Sequence, residues 1–148
     1  MGIFKFAMNK GKEIIADRNK VAEKAIRKEV EDLGLDDELG GDFNVTVDGK
    51  QVKLEGKVPD QETKEKLILA AGNVSGIGEV DDSMKVKSKA KVSESVMHTV
   101  KSGDSLSKIA KKYYGDARLY PDIFDANTPM LKHPDKIYPG QVLRIPGA

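Results

Sequence analysis

The chain has 148 residues, 39% hydrophobic and 33% charged, a balance that suits soluble folded domains better than a disordered chain. Its net charge of +1 creates no overall field toward nucleic acid or a membrane surface, and the lack of cysteine excludes disulfides, thiolate metal sites and cysteine nucleophiles. The length fits one average domain or two small ones, whose modest cores mutual contact could reinforce.

The opening stretch, MGIFKFAMNKGKEIIADRNK, brings Phe4, Met8, Ile14 and Ile15 near one another if it is helical. It reads as a helical segment over residues 1–20 that docks on the next domain. A membrane-surface helix is the alternative, although the polar face is mixed. Charges at Lys5, Lys10, Lys12 and Glu13 interrupt any secretory core, and no run approaches a membrane span. The expectation is a cytoplasmic protein without membrane insertion.

Helical spacing of Val21, Ala25, Val30 and Leu33 predicts a helix, ended by the Gly- and Asp-rich stretch LGLDDELGGD. In FNVTV the residues Phe43, Val45 and Val47 alternate with Asn44 and Thr46, Asp48-Gly49 signals a turn, and QVKLEGKV alternates again. This is a β-hairpin. Pro59 and Asp60 open a second helix whose buried face is Leu67, Ala70 and Ala71. GNVSGIGEV is a Gly-rich turn, and Met84 with Val86 completes a third strand. SKAKVSES reads as a linker over residues 88–96.

After the linker, a strand over His98–Lys101 leads to Asp104, placed as a helix N-cap. Leu106, Ile109, Ala110 and Tyr113 form the stripe of one helix ended by Gly115. Leu119, Ile123, Phe124 and Asn127 belong to the next. Tyr138-Pro139-Gly140-Gln141 is a turn before the closing strand Val142–Ile145.

The helix, hairpin, helix, strand order, carried by FNVTVDGKQVKLEGKV and LAAGNVSGIGEVDDSMKV, resembles the BON family and assigns residues 21–87 to it. The segment HTVKSGDSLSKIA and the closing PGQVLRIP resemble the LysM family and assign residues 97–148. The resemblances imply an α+β fold class: a BON-like α/β sandwich, with helices on one face of a small mixed sheet, joined to a βααβ LysM domain.

Catalytic machinery is hard to find. His98 and His133 lack neighbouring ligands, Asp81 and Asp82 point to opposite faces of a strand, and no phosphate loop or nucleophile elbow occurs. A binding protein is expected, not an enzyme.

The LysM resemblance implies a shallow groove for N-acetylglucosamine-containing glycans. Gly103, Asp104, Ser105 and Leu106 stand on one side, and Asn127, Tyr138 and Pro139 on the other. The same residues have purely structural uses, Asp104 as a cap and Leu106 as core.

In the BON half, Gly72-Asn73-Val74-Ser75-Gly76-Ile77-Gly78 packs three glycines into seven positions. Glycine lets successive carbonyls turn toward one point, and a ring of neutral carbonyl dipoles suits a large monovalent cation such as potassium. An ordinary helix-to-strand turn is the plainer reading of the same residues. As a whole, the chain resembles a family of bacterial potassium-binding proteins that join one BON to one LysM domain, most densely in KLILAAGNVSGIGEVDD. That resemblance implies a monomeric K⁺ sensor or buffer that compacts on binding the ion, with LysM steadying the bound form. It implies main-chain carbonyls of Gly72, Val74, Gly76 and Ile77 as ligands, with the segment around Ala7 and Lys10 closing the shell. The alternative is a cell-envelope adaptor that holds peptidoglycan through LysM. A third reading has no ligand, only protein–protein scaffolding, with a protein partner held through LysM.

Overall fold

A computed structural model of the protein describes residues 2–5, 19–36, 39, 43–74, 77–87 and 94–147. Its elements run β1 (Gly2–Lys5), α1 (Asn19–Asp32), β2 (Asn44–Asp48), β3 (Gln51–Val58), α2 (Gln61–Gly72), β4 (Glu79–Val86), β5 (Val96–Thr99), α3 (Leu106–Tyr114), a 3₁₀ turn (Ala117–Leu119), α4 (Tyr120–Ala126) and β6 (Val142–Ile145). The fold class is α+β. β1 to β4 form one mixed sheet in the order β1-β4-β3-β2, and β5 and β6 form a separate antiparallel pair.

The hairpin follows from its alternation. Val45, Val47, Val52, Leu54 and Val58 are buried, while Asn44, Thr46 and Lys53 face solvent. Asp48 pairs with Gln51 across a two-residue turn in which Gly49 takes φ 62°, a left-handed angle that favours glycine. β4 then lies parallel to β3, with α2 as the crossover.

Helix α1 turns a different face to the core from the one expected. Ala22, Ile26 and Val30 are buried, whereas Val21 is 45% exposed and Ala25 only half-buried. A spacing of four aligns those three, and the bulk of Ile26 fixes which line faces inward.

The N-terminal segment also departs from expectation, because Gly2–Lys5 form a strand and not a helix. β1 adds to β4 in antiparallel register, with Gly2 opposite Asp82 and Lys5 opposite Glu79. Backbone pairing with an open sheet edge outweighs helical spacing in so short a stretch. Phe4 packs on the core while Ile3 stays exposed. Met8, Ile14 and Ile15 lie outside the described residues, as do positions 88–93 of the expected linker.

The last third is β5-α3-α4-β6. β5 starts two residues before the expected strand. The N-cap of α3 is Ser105, which accepts from the Lys108 amide, and not Asp104. Asp104 is drawn instead to His98 and the Lys101 amide. Gly115 closes α3 at φ 77°. Leu119 belongs to the 3₁₀ turn and is exposed, so the second helix begins one residue later than its expected apolar set.

Helix α2 is buried nearly all round, from Leu67 through Gly72 and at Glu65. Leu67, Ile68 and Ala71 join the core of the first domain, while Leu69, Ala70 and Glu65 do not. Strand β6 is buried at all four positions, and only Leu143 and Ile145 belong to the core of the second domain. The remaining faces meet, because α2 packs on β6. This joint positions the candidate site.

Candidate functional site

The Gly-rich loop starts where α2 stops. Asn73 caps the helix through its backbone amide, directed at the carbonyls of Ala71 and Leu69. The Val74 amide donates to Ala71, and the Ile77 amide returns to the Val74 carbonyl at 3.2 Å. Val74 and Ile77 side chains are buried in the core, so apolar groups anchor the two ends of the loop. At the far end the amides of Gly78 and Glu79 both donate to the Lys50 carbonyl, at 2.9 and 3.3 Å. The C-terminal end of a helix carries surplus carbonyls and the negative end of its dipole, which favours a cation.

Of the expected carbonyl donors, Gly72 ends α2, and Val74 and Ile77 lie in the pinned loop that follows. Gly76, Ala7 and Lys10 lie outside the described residues. Lys5 stands opposite Glu79, so the chain leaves β1 at the end of the sheet where the loop enters β4. The Lys5 ammonium pairs with the Glu79 carboxylate, whose other oxygen accepts from Gln51 at 3.1 Å. Among the described residues, no group of three or more His, Asp or Glu side chains converges on a metal position.

The expected glycan residues separate into two kinds. Gly103 is exposed at φ 89°, Ser105 caps α3, and Pro139 is exposed. Hydrogen bonds between Val100 and the Gly140-Gln141 turn bring the 101–105 loop and the 138–141 turn to one end of the β5–β6 pair. Leu106 and Asn127, however, are enclosed. Asn127 donates to the carbonyls of Ile123 and Arg144 at 2.7 and 3.0 Å and accepts from the Arg144 amide at 2.9 Å. Its side chain is fully engaged in tying α4 to β6.

Asp104 accepts from the Lys101 amide at 2.9 Å and contacts His98 Nε2 at 3.0 Å. The Lys101 amide holds its carboxyl below the ordinary carboxylate value, against partial burial and with help from His98. Tyr138 faces the first domain, where it lines a cavity of about 630 Å³ with Leu33, Leu69, Val74, Met130 and Leu131. Burial first, and the Glu29 carboxylate second, raise its phenol above the ordinary value.

Three residues of this region escape the sequence reading. Arg144 on β6 reaches Glu65 on α2, with Nε 2.7 Å from Oε1 and both side chains nearly enclosed. Arg144 also donates to the Ala126 carbonyl at 2.8 Å, and Glu65 Oε2 accepts from Gln61 and from the Ser95 amide, each at 2.9 Å. Burial pushes the Glu65 carboxyl up, but the bonds from Gln61, Ser95 and Arg144 outweigh it and hold the group below its ordinary value. The third residue is Asn73. Its Nδ2 donates to the Val142 carbonyl and its Oδ1 accepts from the Val142 amide, both at 2.9 Å. The available signals were a Glu beside the apolar run LILAA and an Arg inside VLRI.

The BON domain family matches residues 19–88 and the LysM domain family residues 98–146. The potassium binding protein Kbp of Escherichia coli is 43% identical, with 99% of each chain covered. An uncharacterized protein of Deinococcus radiodurans is 42% identical over 71% of this chain and 44% of its own. An endolysin of Bacillus phage B103 is 37% identical over 48% of this chain and 26% of its own.

Proposed function

Because the chain belongs to the family of the potassium binding protein Kbp, we propose that it binds potassium ions, acting as a cytoplasmic K⁺ sensor or buffer. The observation that carries this reading is a match at 43% identity that covers 99% of both chains and so includes both domains. The geometry of the loop supports it. Val74 and Ile77 are buried apolar anchors beside the C-terminus of α2, whose surplus carbonyls suit a cation of low charge density. Carbonyls of Gly72, Val74, Gly76 and Ile77 hold the ion, and the segment of Ala7 and Lys10 completes the shell.

The mechanism is binding coupled to closure. An ion gripped by sequence-distant segments binds the closed arrangement better than the open one and shifts the population toward it. Compaction follows, with LysM steadying the bound form through α2 and β6. Stabilisation then grows with potassium as RT ln(1 + [K⁺]/Kd). The protein works as a monomer.

Titration of salt-free protein with KCl, NaCl and CaCl₂, followed by NMR shifts and scattering radius, tests this. A saturable response and a smaller radius with K⁺ alone are expected. Indifference to all three salts overturns the reading. Gly76→Val is expected to abolish the response while leaving the LysM half folded.

A second reading, glycan binding through LysM, is favoured by the family match and by the adjacency of the 101–105 and 138–141 loops. Titration with N-acetylglucosamine oligomers tests it: shifts confined to those two loops are expected, and none appear if the domain is purely structural.

A further inference from the structure

We propose that Asn73 is a positioning residue, linking the cation loop to the LysM domain by standing in for a strand beside β6. The inference rests on the potassium reading above. β6 pairs with β5 on one side through Thr99 and Val142 and their neighbours. The Val142 amide and carbonyl both point away from that pairing, toward α2, and the carboxamide of Asn73 meets them with a donor and an acceptor at 2.9 Å each. A single side chain thus supplies the paired bonds that a neighbouring backbone would, and satisfies two polar groups at a buried strand edge.

Its location gives this contact a use. Asn73 sits between Gly72 and Val74, whose carbonyls are the first two donors proposed for the ion. Fixing the Asn73 side chain on β6 therefore restrains the peptide plane that carries the Gly72 carbonyl and the one that leads into Val74, whose own carbonyl lies one plane further on. The helix end does not need that side chain, because the cap uses the Asn73 backbone amide. The buried pair Glu65–Arg144 also joins the domains, but it lies two turns earlier on α2 and touches no part of the loop. Docking and loop positioning are thus separate contacts, and separate substitutions address them.

The experiment compares K⁺ and Na⁺ affinity in wild type, Asn73→Ala and Glu65→Gln. Two lost hydrogen bonds at a buried edge predict K⁺ binding weaker by about tenfold in Asn73→Ala. Na⁺ binding should change less, so that selectivity falls. Glu65→Gln weakens docking without touching the loop, so it should lower K⁺ and Na⁺ affinity alike and leave selectivity unchanged. Hydrogen exchange in wild type gives a readout that needs no variant: the Val142 amide should exchange more slowly in KCl than in NaCl. Unchanged K⁺ affinity in Asn73→Ala, an equal loss of selectivity in both variants, or a Val142 amide indifferent to K⁺ would each overturn the proposal while wild type still binds. A wild type that ignores K⁺ defeats the potassium reading itself, and this coupling with it.

Discussion

The BON half closes its core with Ile26, Leu54, Leu67 and Ile77, drawn from both helices, the hairpin and the Gly-rich loop. The LysM half has a smaller apolar set and ties its ends with buried polar side chains instead: Asn127 between α4 and β6, His98 against Asp104 and Tyr113, and Gln141 on the Tyr138 amide. A domain of some fifty residues buries too little surface to be held by apolar contact alone, so directional bonds carry more of its stability. The same shortage explains the joint. By laying the second face of β6 on α2, the smaller domain borrows an apolar surface that it could not build for itself.

The largest test of that difference is Arg144→Ala. It leaves Glu65 enclosed without its cation and should lower stability by about 3–5 kcal/mol in a denaturant melt. A loss under about 1 kcal/mol would mean that the two halves are energetically independent and the borrowing does not occur.

Acid probes the same contact. The folded-state values of Glu65 and Asp104 lie below the ordinary carboxylate value. Their stabilisation is therefore complete above that value and declines as pH falls through it toward the folded values. Melting temperature should drop below about pH 5, and less steeply in Glu65→Gln. A parallel decline in that variant would assign the acid sensitivity to other groups.

Asn127→Ala separates the halves. It orphans the Arg144 amide and should cost about 1–3 kcal/mol. Faster hydrogen exchange is expected in β5 and β6, with the β2–β3 hairpin unaffected. The smallest effect expected is at Gly115, where no atom would meet an added Cβ but the angle is left-handed. Gly115→Ala should cost on the order of 1 kcal/mol in a thermal melt, a purely conformational penalty.

Legibility followed the range of the interactions. The hairpin could be read because Val45, Val47, Val52 and Leu54 alternate around a two-residue turn, all within a dozen residues. Gly115 and the 138–141 turn were equally local. Strand β1 could not be read, since four residues, GIFK, become a strand only by meeting β4, more than seventy positions later. Asp104 and Ser105 are adjacent cap formers, and the choice between them is made by His98 from a neighbouring strand. The joint was the least visible, because Glu65 and Arg144 have the composition of solvent-facing residues and become enclosed only where the two domains meet. The loop itself drew attention through its glycines. Three of its proposed donors fall in the described region, but a site of main-chain oxygen leaves little in the side chains to mark which carbonyls take part.

Helix α2 has a practical consequence. Its Glu65, Leu69 and Ala70 are covered by the other domain, so an isolated 19–88 fragment would present a charged group set in an apolar stripe to solvent. Such a fragment would self-associate or require redesign of that stripe before its ion affinity meant anything. The family boundary near residue 90 is a seam in ancestry, and the seam in the folded molecule runs elsewhere, between α2 and β6.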